Sequence, residues 1–354
     1  MEPLYPLELS LHFIKTPWGG WPGQIGEIRS LSGSPYESMV LNGRLSGRHL
    51  TQIVGEYQQE LLGKDIELDP REPFPLLLKF IYTTRDLPIQ VHPDDAYTLE
   101  NGLPMVGRDK LYYVLMAKPD SRMYLGFKEK LSKEEIRTAV EKHTLPRYLN
   151  AVELKTGQCY TIPPGRIHGV GGHMCLLEIQ RHSELNFVLF DKEAANEKEE
   201  ISSHLDSALD VLNHEPIVPH GIEKVSQSIN GNSIEYLALT PHFSVRNLII
   251  NSSLDLSLTG KRFVVYTCVK GRASIGWGSS DLCLSIQSCQ SVLVPAIPGE
   301  ITFTSDAGCQ FIETTIPYLT ADMFGELIKS GIKRGRIEIL GGDDYRDILK
   351  NCLK

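Results

Sequence analysis

Residues 159–165 read CYTIPPG, a short run of strand-forming side chains that ends in a Pro-Pro-Gly turn. Residues 291–298 read SVLVPAIP and repeat this form, because a strand again runs into a turn that contains proline. β-Branched and aromatic residues favour strands, whereas proline and glycine end them. Two stretches of one form, in separate parts of the chain, favour two β-barrels of one type.

The remainder of the chain extends this pattern. Thirty glycines and 21 prolines punctuate the 354 residues, and short strand-like runs lie between them. The predicted strands share β-branched or aromatic residues and turn signals at their ends: Leu76–Ile81, Leu111–Met116, Cys159–Ile162, Cys175–Ile179, Phe187–Phe190, Arg262–Val269, Ser291–Val294 and Ile301–Thr304. Many short strands with such turns are typical of an all-β core and predict two jelly-roll barrels.

Helical patterns are confined to a few segments. One segment places apolar residues at close to a 3.6-residue period and is followed by Gly63, and another begins at Ser132 with the capping-box pattern S-K-E-E. The predicted helices are Leu50–Leu62, 132–142, Glu199–Leu212, Thr320–Ser330 and Asp343–Cys352.

The segment Asn213–Val225 contains two prolines and little periodicity, which indicates a linker. The chain is therefore predicted to divide into three parts. Residues 1–225 form a first barrel with inserted helices and the candidate active site, residues 226–317 form a second barrel, and residues 318–354 form a helical C-terminal tail. Whether the tail packs on the second barrel or mediates self-association stays open.

Composition limits the partners and the compartment. Lys and Arg total 36 against 44 Asp and Glu, and a net charge of −8 argues against nucleic acid or an anionic membrane as a partner. Seven cysteines, an odd number without a C-x-x-C pair, indicate reduced thiols in a cytoplasmic protein. Met1–Ser10 lacks the basic and apolar regions of a signal peptide. We expect a small-molecule partner.

The stretch Leu87–Tyr97, LPIQVHPDDAY, is the most informative for chemistry. Gln90 and His92 are two residues apart on a predicted strand, so their side chains share one face. An imidazole and an amide oxygen are ligands that a divalent metal accepts, although Gln-x-His on a strand is commonly structural. His168 follows the Pro-Pro-Gly turn, where it can project into a barrel mouth as a third ligand.

In order and spacing, several strings resemble the core of the type I phosphomannose isomerases, a family of the cupin superfamily. The strings are Pro17–Gly20, Lys79, Gln90–Asp95, Gly107–Leu115, Gly126–Lys128, Pro163–His168, Leu177–Gln180 and Leu293–Ala296. The resemblance covers roughly residues 5–316. It implies a mainly β fold of two cupin barrels, and a zinc-dependent isomerase that interconverts mannose 6-phosphate and fructose 6-phosphate through an enediol.

The resemblance also implies roles for individual residues. Gln90, His92 and His168 match three of the family's ligands for zinc or another divalent metal. Lys79 matches an active-site lysine, and Arg108 stands where the family usually has a lysine, so the positive charge is kept. Both are expected to bind the sugar phosphate and to take part in catalysis.

Two positions depart from the family pattern. Lys110 stands where the family has a metal-binding glutamate, and Val188 stands where it has an active-site arginine. A protonated lysine offers no lone pair to a metal, and two like charges ~4 Å apart repel by ~4 kcal/mol at an effective dielectric of ~20. Lys110 is therefore expected to turn away, to lose its proton, or to occupy the metal's place. Asp109 is a poor substitute ligand, because successive strand residues face opposite ways unless a bulge intervenes.

Three functional hypotheses stay open. The first is an active isomerase with a metal. The second is a catalytically degenerate paralogue that binds sugar phosphate, which Lys110 and Val188 favour. The third is an enzyme in which Lys110 is the acid–base group and no metal is needed. Glu178, in the predicted strand LLEIQ, is expected to line the pocket or to act as a base.

Overall fold

The structure, a computed structural model, describes residues 3–192, 198–278, 283–318 and 321–352. Its strands are β1 Leu7–Glu8, β2 His12–Lys15, β3 Ile25–Leu31, β4 Leu76–Thr83, β5 Ile89–Val91, β6 Lys110–Ala117, β7 Arg122–Phe127, β8 Leu149–Glu153, β9 Cys159–Ile162, β10 His168–Val170, β11 Met174–Arg181, β12 Phe187–Phe190, β13 Val225–Ile229, β14 Asn232–Leu239, β15 Ser244–Ile250, β16 Ser253–Thr259, β17 Val264–Lys270, β18 Arg272–Trp277, β19 Cys283–Gln287, β20 Ser291–Val294, β21 Pro298–Thr304 and β22 Cys309–Thr315. Its α-helices are α1 Leu50–Leu62, α2 Asp95–Glu100, α3 Lys133–Glu141, α4 Lys198–Val211, α5 Ala321–Lys329, α6 Arg334–Glu338 and α7 Gly342–Cys352.

The strands form two pairs of sheets, one pair for each barrel. In the first barrel, the order β2-β3-β4-β11-β6-β9 forms a six-stranded sheet, and β12-β5-β10-β7-β8 forms the sheet opposite it. We call these the site sheet and the facing sheet. The second barrel consists of β1-β20-β17-β22-β15-β14-β13 and β16-β21-β18-β19. The prediction of a mainly β protein built from two barrels is confirmed.

The two barrels share a hydrophobic core. Leu78 and Ile179, on the outer side of the site sheet, belong to one buried cluster with Val265 and Ile312 of the second barrel. Side chains alternate between the two faces of a strand. The residues next to these apolar positions therefore face the interior of the first barrel, and this places the polar side chains of β4 and β11 between the site sheet and the facing sheet.

The predicted helices and turns follow their local signals. Ser132 accepts a hydrogen bond from the backbone of Glu135, whose side chain accepts one from the backbone of Ser132, so the predicted capping box is confirmed. α1 has the predicted bounds, and Gly63 follows it with a φ of 110°. Thr320, the first residue of one predicted helix, lies outside the described residues, and that helix is seen from Ala321.

Each end of the chain contacts the barrel that is distant from it in the sequence. β1 pairs with β20, with Leu7 opposite Leu293, although it was predicted within the first part of the chain. In the tail, Leu349 packs in the core of the second barrel, whereas Asp344 pairs with Arg166 of the first barrel at 2.7 Å. The tail thus contacts both barrels. The division at residues 225 and 317 stays a prediction. No helix within the described ranges is long and apolar enough to cross a membrane.

Candidate active site

A row of polar residues crosses the inner face of the site sheet. Arg29 of β3 pairs with Lys79 of β4, Lys79 pairs with Glu178 of β11, and Glu178 pairs with Tyr112 of β6. Lys110 stands two residues before Tyr112 on the same strand and therefore shares its face. Strand register alone thus brings three of the predicted site residues, Lys79, Lys110 and Glu178, to one place.

Glu178 lies at the centre of this group. Its carboxylate is 3.0 Å from the Lys79 Nζ, 3.8 Å from an Arg108 guanidinium nitrogen and 3.6 Å from the Lys110 Nζ. All four side chains are at least 95% buried. One buried carboxylate therefore faces three cations. Arg29, Glu27 and Glu184 lie beside them, so the whole group has four cations and three carboxylates and one positive charge in excess, which suits an anionic ligand.

These charges shift the ionisation of the group. Burial alone would raise the pKa of Glu178, but the charges of Lys110, Lys79 and Arg108 outweigh it and hold that pKa well below its usual range. Burial, followed by the charge of Arg108, lowers the pKa of Lys110 to about 7. The carboxylate is consequently ionised at neutral pH, because its protonated form would lose all three ion pairs.

Arg108 is fixed in place by an amide. Its Nε and one terminal nitrogen both donate to the Oε1 of Gln180, at 3.1 and 2.8 Å. Gln180 in turn donates to the carbonyl of Ser183 at 2.8 Å. The guanidinium therefore keeps one orientation, which a site for a bound anion requires.

The facing sheet supplies the imidazoles. β5 ends at Val91, so His92 lies just beyond the strand and not within it as predicted. Gln90 pairs with His168 across the ladder, and the rings of His92 and His168 lie 5.2 Å apart, centroid to centroid. The Nδ1 of His168 donates to the carbonyl of Arg166 at 2.9 Å, so its Nε2 is the free acceptor.

That acceptor faces Lys110. The Nζ of Lys110 lies 3.4 Å from the Nε2 of His168, within reach of a hydrogen bond. An ion bonded to this Nε2 at about 2.1 Å would lie no more than about 5.5 Å from the ammonium. At that distance a double and a single charge repel by about 6 kcal/mol at an effective dielectric of ~20.

The donor set does not fit a divalent metal while Lys110 holds this position. Among the described residues, no group of three or more His, Cys, Asp or Glu side chains is arranged to hold an ion. One feature favours a ligand: both ring nitrogens of His92 are buried without a hydrogen-bond partner. A single unpartnered imidazole does not offset the ammonium beside the second one.

Several residues of the site were not predicted from the sequence. Arg29 pairs with Glu184 at 2.5 Å, and Glu27 lies 3.8 Å from Lys79. Glu27 and Arg29 stand two residues apart on β3 and therefore share one face. This period-two pattern of charged residues was the sequence signal that could have identified them. Val188 pairs with Gln90 on the facing sheet, and its side chain brings no cation to the pocket.

Asp109 points away from the pocket, as strand alternation predicted. Its carboxylate accepts a hydrogen bond from the hydroxyl of Tyr345 in the tail, at 2.7 Å. Burial raises the pKa of Asp109 to about 7, the nearby charge of Asp344 adds to this rise, and the Tyr345 hydrogen bond opposes it. Asp109 is therefore a structural contact of the tail and not a replacement metal ligand.

The raised pKa predicts a pH-dependent stability. Between about pH 4 and 7 the unfolded chain releases the Asp109 proton while the native chain keeps it, so this group lowers stability as pH rises. Asp109→Asn, which still accepts from Tyr345, should match the native chain at pH 4 and be more stable at pH 8, by at most about 4 kcal/mol. Urea unfolding at the two pH values measures this.

Asp69 provides a control of opposite sign. A hydrogen bond from the Arg71 side chain lowers the pKa of Asp69 to about 2, so ionisation of Asp69 favours the native state above that pH. Asp69→Asn should therefore gain nothing at pH 8. Equal pH profiles for the native chain and Asp109→Asn would contradict the assignment of Asp109.

The second barrel also holds an ion pair between a partly exposed arginine and a buried glutamate, which the sequence did not predict. Arg246 and Glu313 form a two-pronged ion pair at 2.7 and 2.5 Å, beside Tyr236 and Tyr266. A cavity of about 210 Å³ lies against this pair. Because the ion pair satisfies both charges, the cavity offers a ligand less unpaired charge than the first barrel does.

Comparison with known proteins gives clear sequence relatives. The chain is 30% identical over 236 residues to the probable mannose-6-phosphate isomerase GmuF of Bacillus subtilis, covering 62% of this chain and 71% of that protein. It is 28% identical over 289 residues to the mannose-6-phosphate isomerase of Streptococcus mutans, covering 78% and 88%. No family model matches the chain.

Solved structures share the fold. The mannose 6-phosphate isomerase of Bacillus subtilis superimposes with a TM-score of 0.77 at 24% identity, over 88% of this chain and all of that one. A zinc-bound mannose 6-phosphate isomerase superimposes with a TM-score of 0.67 at 12% identity, over 89% of this chain and all of that one. At least one protein with this fold therefore binds zinc.

Proposed function

The chain belongs to the mannose-6-phosphate isomerase family, and from this premise we propose that it interconverts mannose 6-phosphate and fructose 6-phosphate in its first barrel. The observation that carries the proposal is the buried group of Lys79, Arg108 and Lys110 around Glu178. A group of buried cations attracts a phosphorylated sugar, and the low dielectric around it strengthens each charge–charge contact. A cytoplasmic location is part of the proposal, and the free thiols of the seven cysteines support it.

The proposed roles follow from charge. The reaction opens the sugar ring and moves a proton between C1 and C2, so negative charge develops on an oxygen of the enediol. We propose Lys79 and Arg108 as the groups that bind the phosphate, Lys110 as a donor to the enediol oxygen, and Glu178 as the carboxylate that holds these three cations in place. A carboxylate whose pKa is held well below its usual range is a weak base, so Glu178 is not assigned the proton transfer, whereas the cations can stabilise the negative charge that develops on the enediol.

Gln90, His92 and His168 are proposed to line the opposite wall of this space. They are the positions at which the family resemblance expects a metal. A divalent ion on them is not part of the proposal for the native chain, because their donor set does not fit one while Lys110 lies 3.4 Å from His168.

The test combines turnover with binding. Purified protein is assayed for conversion of mannose 6-phosphate to fructose 6-phosphate in a coupled assay, and its affinity for both sugars is measured by calorimetry. We expect turnover in the native chain and at least a hundredfold loss in Lys79→Met, because this variant removes a buried cation of the pocket. Binding without turnover would favour the degenerate paralogue. The absence of both binding and turnover would refute the proposal.

A further inference from the structure

We propose that the ammonium group of Lys110 replaces the divalent metal ion of the first barrel, so that the native chain uses an internal cation there and binds no zinc at His92 and His168. The inference deepens the proposed function and rests on it for the substrate. The position of Lys110 itself does not depend on that proposal.

The first argument is position. The Nζ lies 3.4 Å from the one ring nitrogen of His168 that is free to accept, and 3.6 Å from the Oε2 of Glu178. The backbone holds Lys110 on both sides, because β6 pairs Lys110 with Gln180 of β11 and with Ile162 of β9. The side chain is 1% exposed, so it does not turn out to solvent.

The second argument is charge. A metal site needs donors that compensate the ion, and a carboxylate is the donor that the family resemblance expects at position 110. Here the nearest carboxylate, Glu178, already compensates Lys79 and Arg108 together with Lys110. Apart from Lys110, the cations Arg29, Lys79 and Arg108 are balanced by the carboxylates Glu27, Glu178 and Glu184. A divalent ion would add two positive charges to this balanced group, whereas the ammonium adds one and donates to His168.

The third argument is the chemistry that an ammonium can supply. Lysine has three N–H donors. One of them bonds His168 at 3.4 Å, and Glu178 at 3.6 Å is an ion-pair partner, so N–H donors remain for an oxygen of the open-chain sugar. An ammonium can therefore orient a substrate oxygen and stabilise negative charge on it, which is the role proposed for a cation at this position.

The experiment measures zinc directly. The full-length chain, freed of metal with a chelator, is dialysed against zinc chloride at about 10 µM free ion, and bound zinc is determined by mass spectrometry. Lys110→Glu supplies the missing carboxylate, and Lys110→Met is its matched control, since it removes the charge without adding a donor. His168→Ala, in both the native and Lys110→Glu backgrounds, separates zinc in the pocket from zinc on surface groups.

In the native chain we expect no bound zinc that depends on His168, so His168→Ala should not lower its zinc content. Lys110→Glu should bind about one equivalent, at least a hundredfold more tightly than the native chain, and His168→Ala should abolish this gain. Lys110→Met should gain less than tenfold. One equivalent of zinc in the native chain that is lost in His168→Ala would overturn the inference, and this result does not require either Lys110 variant to fold.

Turnover separates this inference from the proposed function. Isomerase activity that survives chelation supports both. Activity that disappears on chelation and returns with zinc overturns the inference and leaves the proposed function intact. Absence of activity in the native chain, with zinc bound only by Lys110→Glu, removes the proposed function and supports the inference.

Discussion

Replacement of Glu178 by glutamine is expected to lower the free energy of unfolding by about 3–5 kcal/mol, the range found when one partner of a buried ion pair is removed. Glutamine keeps the shape of the side chain but loses its charge. Lys79, Arg108 and Lys110 would then lie within one buried space without a carboxylate between them. Urea unfolding of the two proteins at one pH measures the loss.

A surface glutamate provides the control. Glu215 pairs with Lys130 at the surface, and both side chains are more than 60% exposed. Glu215→Gln removes the same charge, but exposed ion pairs contribute only ~0–1 kcal/mol. A loss at Glu178 as small as the loss at Glu215 would mean that the three cations are not held by the carboxylate.

A double variant tests the cause of the loss. In Glu178→Gln, Lys79 keeps Glu27 at 3.8 Å, but Arg108 and Lys110 lose the carboxylate with which they pair. If repulsion among the three cations causes the loss, then removing one of them should recover part of it. Lys110→Met is therefore expected to raise the free energy of unfolding in the Glu178→Gln background. In the native background, the same substitution should raise it less or should lower it. Additive effects of the two substitutions would contradict this explanation.

The second large effect is expected at Arg108. Arg108→Met should weaken the affinity for mannose 6-phosphate about a hundredfold, and should lower kcat/KM to a similar extent, mainly through KM. The reason is the loss of a charge-assisted contact to phosphate, worth ~1.5–3 kcal/mol, by a guanidinium that Gln180 holds in one orientation. Calorimetry and steady-state kinetics measure the two quantities.

Arg122 is the matched arginine. It opens β7 and is exposed, outside the polar group described above. Arg122→Met should leave both affinity and kcat/KM unchanged. Equal weakening in the two variants would indicate a general effect of net charge, and no weakening in Arg108→Met would move the phosphate to another part of the pocket.

The fold was largely predictable because its signals are local. α1, β9 and β12 have the predicted bounds. A glycine follows α1 and a proline follows β9, and such signals act within a few residues. Other strands are longer than predicted, as β11 shows by running from Met174 to Arg181. Strand pairing extends the ladder beyond the residues whose own propensity predicts a strand.

The site was predictable in composition but not in arrangement. The family resemblance pointed to Lys79, Lys110 and Glu178, and strand register brings them together. The ion pair of Arg29 with Glu184 and the hydrogen bond of Tyr345 to Asp109 join residues that are 155 and 236 positions apart. No local pattern specifies such contacts, because they depend on how whole sheets and helices pack.

The reach of the tail has a consequence for biosynthesis. Arg166, two residues before His168, is separated by 178 positions from its partner Asp344. At roughly 5–20 residues per second, the ribosome needs about 10–40 s to translate that interval. Arg166 and the neighbouring His168 therefore emerge from the ribosome well before α7, the helix that contains Asp344. A chain interrupted before α7 would leave Arg166 without Asp344 and Asp109 without Tyr345, so these two contacts form only after the last helix has been translated.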